Sequence, residues 1–305
     1  DSHVRAIISQ LTNRYPERFV LVKAPDGSQP MWQWYQELQK QQQLTPYVLI
    51  NTPCHTLSQN FYKHNDLDIF FFVNYDSDHN RTVHLDFNLP QLQNKTAWLW
   101  DPETGNRQRI SGWANDTMSL YLGINQSRLI VFENASPRDD QAATVNVALP
   151  EYGNRAPVQT ISSVWDVTMT HALTGHRDTI QLDTLVDFNT LPLPALRHFT
   201  GTIDYSTSID IADPTAITIL DAGTTHNGIT ELFINGTPAG VKWYGNRIFN
   251  ISGLLKPGAN EITIRITTTL GNYCKSLGTS NPLTYTWTKN QPYLPLGLEG
   301  PITLY

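Results

Sequence analysis

Three groups of side chains in this 305-residue chain have types and spacings that suggest chemistry. The first is acidic. Hydrolysis of a glycosidic bond needs two carboxylates about 5 to 9.5 Å apart, and the acids nearest to a cluster are Glu231, Asp183 and Asp187. Sequence alone pairs none of them, and solvated surface acids are the commoner state of such residues. The second group is His171 and His176, which flank a Thr-Gly loop with Asp178 close behind. That spacing matches neither a helical i, i+4 pair nor a zinc pattern, so no metal is expected there. The third group is aromatic. Trp243, Tyr244, Asn246 and Arg247 put two large rings beside an amide and a guanidinium in one short connection. Rings stack on the apolar C–H faces of a sugar while polar neighbours bind its hydroxyls, so these four residues are the candidate carbohydrate-binding set. The competing reading, preferred for Trp243, is that the aromatics cap a core or pack on a neighbouring domain, as large aromatics usually do. Trp98 and Trp100 fall on one face of a strand and read as packing. Trp32 and Trp34 lie on or beside a helix and read as exposed here. No catalytic residue is assigned, and no phosphate loop, G-x-S-x-G elbow or H-E-x-x-H sequence is present.

Composition narrows the class. Charged residues are 16% of the chain and the net charge is −6, with no long basic run, so nucleic acid is not an expected partner. The longest apolar stretches are strand-sized, so no membrane span is expected. Abundant Thr, Asn, Gly and Pro suit a β-rich protein with many turns. Cys54 and Cys274 are far apart and read as two unpaired thiols. Seven Asn-x-Ser/Thr sequons occur, at Asn80, Asn94, Asn115, Asn125, Asn134, Asn235 and Asn250, several by chance in a chain of this composition. No basic segment followed by an apolar run opens the chain, so no signal peptide is expected within it.

The elements that must position these residues fall into three stretches. Residues 1–60 read as a partial α/β segment, the tail of an upstream domain. Val4, Ile7, Ile8 and Leu11 make one helix face, Phe19–Val22 a strand, Trp32–Gln42 a second helix and Tyr47–Ile50 another strand. From 61 to 140 the period changes to two. Leu67–Val73 reads as a strand buried on both faces, and Val83–Phe87, Ala97–Trp100, Met118–Leu122 and Leu129–Phe132 complete five strands of a small antiparallel β-sandwich. Asn134–Ala142, with Pro137, is the linker. Residues 141–305 are strand-rich throughout. Glu231–Ile234 enters the tight-turn dipeptide Asn235-Gly236, and Ile262, Ile264 and Ile266 share one face, a pattern that predicts a second sandwich.

Several segments of this last stretch occur in a recognisable order. Leu196–Tyr205 (LRHFTGTIDY), Leu220–Gly223 (LDAG), Glu231–Lys242 (ELFINGTPAGVK), Tyr244–Asn260 (YGNRIFNISGLLKPGAN) and Leu294–Leu304 (LPLGLEGPITL) together resemble the sugar-binding domain of glycoside hydrolase family 2. In the middle stretch, Asp68–Tyr75 (DIFFFVNY) and Leu99–Gly105 (LWDPETG) resemble the C-terminal part of the α-L-rhamnosidase-like enzymes of family 106. The resemblance spans about residues 60–305.

It implies a mainly β architecture, in which the small antiparallel sandwich is followed by a galactose-binding-like jelly-roll sandwich. It also implies a catalytic (β/α)8 barrel, with its carboxylates and a calcium site, upstream of the region this chain matches. No cofactor is then expected in the chain itself. The implied function is a non-catalytic accessory region of a carbohydrate-degrading glycoside hydrolase, with carbohydrate and the upstream catalytic domain as partners, in a parent secreted or periplasmic. The alternative is a free-standing carbohydrate-binding protein.

Overall fold

The structure is a computed structural model that describes residues 1–113, 116–136 and 139–305. The sequon at Asn115 and the Pro137 portion of the linker lie outside the described residues. Two helices come first, α1 (Ser2–Arg14) and α2 (Met31–Gln41). Both follow their sequence periodicity, yet neither has a fully buried residue. Phe19–Val22 forms no strand. These residues stay unpaired because the chain offers no neighbouring strand edge, and all four side chains are exposed.

The first sandwich holds β1 (Val48–Ile50), β2 (Leu57–His64), β3 (Leu67–Asn74), β4 (Arg81–Phe87), β5 (Lys95–Trp100), β6 (Arg107–Ile110), β7 (Thr117–Leu122), β8 (Gln126–Asn134) and β9 (Thr144–Val145). One sheet runs β1-β4-β7 and the other β2-β3-β8-β5-β6-β9. The core between them is built from both, including Val48, Phe70, Phe72, Leu85, Leu120, Phe132 and Val147. The sandwich is therefore wider than the five strands read from alternation. β1 pairs with β4, and β9 lies parallel to β6, so residues 48–50 and 144–147 contribute to this core. β2 escaped the pattern because it is an edge strand with almost no buried position.

β3 was expected to be buried on both faces, but only alternate positions are fully buried, and they end in polar residues. Asp68, Phe70, Phe72 and Asn74 are all completely inaccessible. Asp68 is paired with the Lys95 ammonium at 2.7 Å, and the Asn74 amide donates to the carbonyls of His79 and Gly123, each at 2.9 Å. Those partners let polar groups end a buried row.

The second sandwich contains β10 (Gln159–Ile161), β11 (Trp165–His171), β12 (Arg177–Leu182), β13 (Gly201–Ile211), β14 (Ile219–Asp221), β15 (Thr224–His226), β16 (Gly228–Ile234), β17 (Thr237–Lys242), β18 (Ile248–Asn250), β19 (Gly258–Thr268), β20 (Gly297–Glu299) and β21 (Ile302–Leu304). A six-stranded sheet, β12-β11-β13-β19-β16-β17, faces a four-stranded one, β10-β21-β14-β18, and β15 pairs with β20. Their inner faces meet in one core, with Val167, Ile203, Leu232 and Ile264 from one sheet and Ile161, Leu220, Phe249 and Leu304 from the other. The hairpin at Asn235-Gly236 forms as its residues require, with φ of 52° and 76°. Successive positive φ values match the twist of a two-residue hairpin. Helix also appears where only strand was expected: α3 (Gly271–Ser276) and α4 (Pro282–Thr288) lie between β19 and β20. The Asn281 side chain accepts the Thr284 N–H and Pro282 opens the first turn, which is N-cap chemistry legible in the sequence.

The Asp68–Lys95 pair sets an expectation for stability. Lys95→Met alone strands a carboxylate in the core and should cost about 3 to 5 kcal/mol in urea unfolding. The double variant Asp68→Leu/Lys95→Met should recover most of that loss.

Candidate functional site

The connection from β17 to β18, residues 243–247, carries the predicted carbohydrate set and runs against the first sandwich. Its counterpart is the turn between β5 and β6. There the Asp101 carboxylate accepts the Glu103 N–H at 2.9 Å and the Thr104 hydroxyl at 2.7 Å, and Gly105 closes the turn at φ 74°. Burial raises the Asp101 pKa, but the bonds from Thr104 and Glu103, with the Lys242 charge nearby, outweigh it and hold the carboxyl below its ordinary value. This turn holds Glu103 out toward the second sandwich, where its carboxylate accepts the indole N–H of Trp243.

The four predicted residues have different fates. Trp243 is 63% exposed, so the reading of this ring as a core cap is corrected. β17 is an edge strand and Trp243 lies just past its last paired residue, beyond the reach of the core. Tyr244 meets it edge to face at 4.9 Å and 73°. Burial raises the Tyr244 pKa, and the charges of Glu103 and Asp101 add to the rise. Asn246 is a joint residue: its amide donates to the Tyr121 hydroxyl of the first sandwich at 2.9 Å. Burial pushes Tyr121 up to about 12, partly opposed by that bond. Arg247 turns inward. It is 8% exposed, and its guanidinium donates to Thr230 Oγ1 at 3.1 Å and to the Gly245 and Gly228 carbonyls. The structure thus leaves Trp243 and part of Tyr244 as the ring surface beside Glu103, and commits Asn246 and Arg247 to internal bonds.

A second contact between the sandwiches was not read from sequence. Glu151 accepts from Arg128 at 2.9 Å and from Gln126 at 3.3 Å, while the next ring, Tyr152, stacks on Tyr305 at 4.3 Å and 6°. Asp221 lies in the field of both tyrosines and of Glu151. Burial pushes its pKa up to about 6, against the pull of the Gly223 N–H and with help from the Glu151 charge. Asp221 stood in the quoted LDAG segment, but nothing there signalled its burial.

The acids first singled out do not pair as a glycosidase would need. Asp183 follows β12 and Glu231 sits on β16, four strand positions away in the same sheet. At ~4.8 Å per strand that is about 19 Å, well beyond the working range. Asp187 is committed elsewhere, accepting the N–H groups of Asn189 at 3.0 Å and Leu296 at 2.8 Å. His171 Nδ1 accepts the Leu173 N–H, and His176 contacts Asp178 at 3.2 Å. Among the described residues no three His, Cys, Asp or Glu side chains gather as metal ligands. Cys54 and Cys274 are free. Among the described residues no helix is long and apolar enough to cross a membrane.

No family model and no curated protein matches the chain. Among solved structures it is similar to a rhamnosidase from Novosphingobium sp. PP1Y, with a TM-score of 0.64 and 22% identity over 88% of this chain. What they share is the fold, a mainly β architecture of packed sheets, and the chain spans about a quarter of the rhamnosidase's length, 26%. A β-D-glucuronidase from Dictyoglomus thermophilum (22% identity) covers 36% of this chain and matches over 19% of its own, at a TM-score of 0.31. A Ruminococcus gnavus β-glucuronidase (16% identity) covers 39%, over 24% of its own chain, at 0.33.

Two outcomes follow from the joint. Trp243→Ala should change stability by about 1 kcal/mol or less in thermal melts, against about 3 to 5 for a core aromatic. Unfolded Asp221 releases its proton near pH 4 and folded Asp221 at about 6, so the folded chain holds more protons in that window. Stability should therefore fall as pH rises from 4 to 6, by at most about 3 kcal/mol from this residue. Asp221→Asn should flatten that slope and raise the melting temperature at pH 7.

Proposed function

We propose that this chain acts as the non-catalytic accessory region of a carbohydrate-degrading glycoside hydrolase of the α-L-rhamnosidase-like kind. In this reading the parent belongs with family 106, and residues 141–305 are its family 2 type, galactose-binding-like domain. The observation that carries it is the likeness to the rhamnosidase over 88% of this chain but 26% of that one. A region matching a quarter of an enzyme, with its named acids about 19 Å apart or hydrogen-bonded to backbone, suits support of a catalytic domain better than bond cleavage. The motif order from Asp68 to Leu304 supports the same assignment. Within it, the exposed ring of Trp243, flanked by Tyr244 and Glu103, is the surface for transient contact with a sugar chain.

Assay of the purified chain on aryl α-L-rhamnosides and other aryl glycosides tests this reading. The expected result is no turnover above a boiled control. Turnover that follows the protein through purification and is lost in Glu231→Gln, Asp183→Asn or Glu103→Gln would overturn it.

A further inference from the structure

Far from the joint, a cavity of about 300 Å³ opens where the edges of the first sandwich's two sheets come together. β1 forms one rim and β2 the other, and α2 reaches over them with Tyr35 and Gln39. We propose that this cavity binds a single neutral pyranose unit.

Its chemistry is that of a site for an uncharged polyhydroxylated ring. A run of aromatics leads from the surface into the core: Tyr47 against Phe61 at 4.8 Å and 51°, and Phe61 against the fully buried Phe70 at 4.8 Å and 32°. Tyr47 is thereby fixed from behind while more than half of it stays in solvent, so a ring face is presented without first being ordered. Such prearranged rings give stacking at small entropic cost. Around them stand unused polar groups. The Gln39 amide and the Tyr35 and Tyr47 hydroxyls bond to no other described residue, and the Gln59 amide, which donates to the Val48 carbonyl at 3.3 Å, keeps its oxygen as an acceptor. Hydroxyl groups of a sugar need such mixed donors and acceptors.

The lining decides the ligand's charge. It contains no Asp, Glu, Lys, Arg or His, so a uronate carboxylate entering it would lose water and gain no counter-charge. The volume lies at the small end of ligand pockets, about 300 to 1,000 Å³, which suits one ring rather than an enclosed oligosaccharide. The site is separate from the Trp243 surface and does not depend on the accessory reading, because the aromatic run and the free amides exist whatever the parent does.

The test is an amide chemical-shift titration of the whole chain with methyl α-L-rhamnopyranoside, methyl β-D-galactopyranoside and methyl α-D-glucopyranoside, alongside galacturonate. At least one neutral glycoside should shift amides of residues 35–48 and 59–61 saturably, with a Kd on the order of 1 mM. Galacturonate should bind at least tenfold more weakly. Tyr47→Ala and Gln39→Ala should each weaken binding about tenfold while the remaining spectrum and the melting temperature hold, which separates lost contact from lost fold. No saturable shift in this region up to about 50 mM, some fiftyfold above the expected ~1 mM, overturns the proposal. So does tighter binding of galacturonate, or binding unaffected in both folded variants. Shifts confined to residues 243–247 overturn it too while leaving the accessory reading intact, and glycosidase turnover would remove that reading without touching this one.

Discussion

The arrangement of this molecule depends on the close approach of Asn246 to Gly123. The Asn246 side chain lies so near Gly123 that a Cβ there would come within 2.8 to 3.1 Å of it, so any larger residue at 123 would displace the Asn246 amide. At that distance the Asn246 amide reaches the Tyr121 hydroxyl and Trp243 reaches Glu103. The Gly123 carbonyl also accepts from the buried Asn74, so the same residue ties the joint to the polar end of β3. The second contact, Arg128–Glu151 with Tyr152–Tyr305, crosses by a different route. Two separated contacts resist rotation far better than one, so the sandwiches' mutual orientation is fixed by both together. An exposed pair such as Arg128–Glu151 contributes little by itself; buried hydrogen bonds and close contact do more of the work.

This arrangement explains which parts were legible beforehand. β3, β4, β13 and β19 each bury alternate side chains, and a period of two shows directly in their residues. The Asn235-Gly236 turn was legible because its backbone needs residues that tolerate positive φ. β2, β9 and β1 were missed or placed elsewhere because an edge strand buries little, or is too short to show a period. Phe19–Val22 shows the converse: an apolar run with strand propensity makes a strand only where another strand meets it. At the joint, sequence brought Trp243–Arg247 together because they are consecutive. It could not show that Arg247 turns into the sandwich, or that Glu103, 140 residues away, comes up beside Trp243. Asp221 was hidden for the same reason, since its electrostatic neighbours Tyr152, Tyr305 and Glu151 are far from it in sequence.

The outer face of the six-stranded sheet shows how a large polar surface stays ordered. Asp204, Arg265 and Glu231 stand on three adjacent strands in register, with Arg265 bonded to the Asp204 carboxylate at 2.6 and 3.0 Å and its guanidinium over the Phe233 ring at 5.5 Å. The hydrogen bonds that Arg265 donates to Asp204 raise the Arg265 pKa, with the Glu231 charge adding to the effect. Glu231 therefore has a structural occupation as the outer member of a cross-strand charge ladder.

Edge protection links the fold to its two candidate surfaces. An exposed sheet edge invites pairing with another chain, and the usual defences are Pro, bulges, charges or a covering element. β17 carries Pro238 and a register shift opposite Leu232–Phe233, and its end is occupied by the Trp243 connection against the first sandwich. β2 has no bulge in its pairing with β3; Lys63 puts a charge near one end, and α2 approaches the middle at Gln59–Phe61. A helix laid across two sheet edges cannot fill the gap as strands would, because its side chains project from a cylinder about 10 Å across and leave space between rows. The cavity under Tyr35 and Gln39 lies where α2 approaches that edge without packing into it. Its mixed, uncharged lining combines core residues at that edge, Val48 and Phe70, with polar side chains of α2 and β2, Gln39 and Gln59.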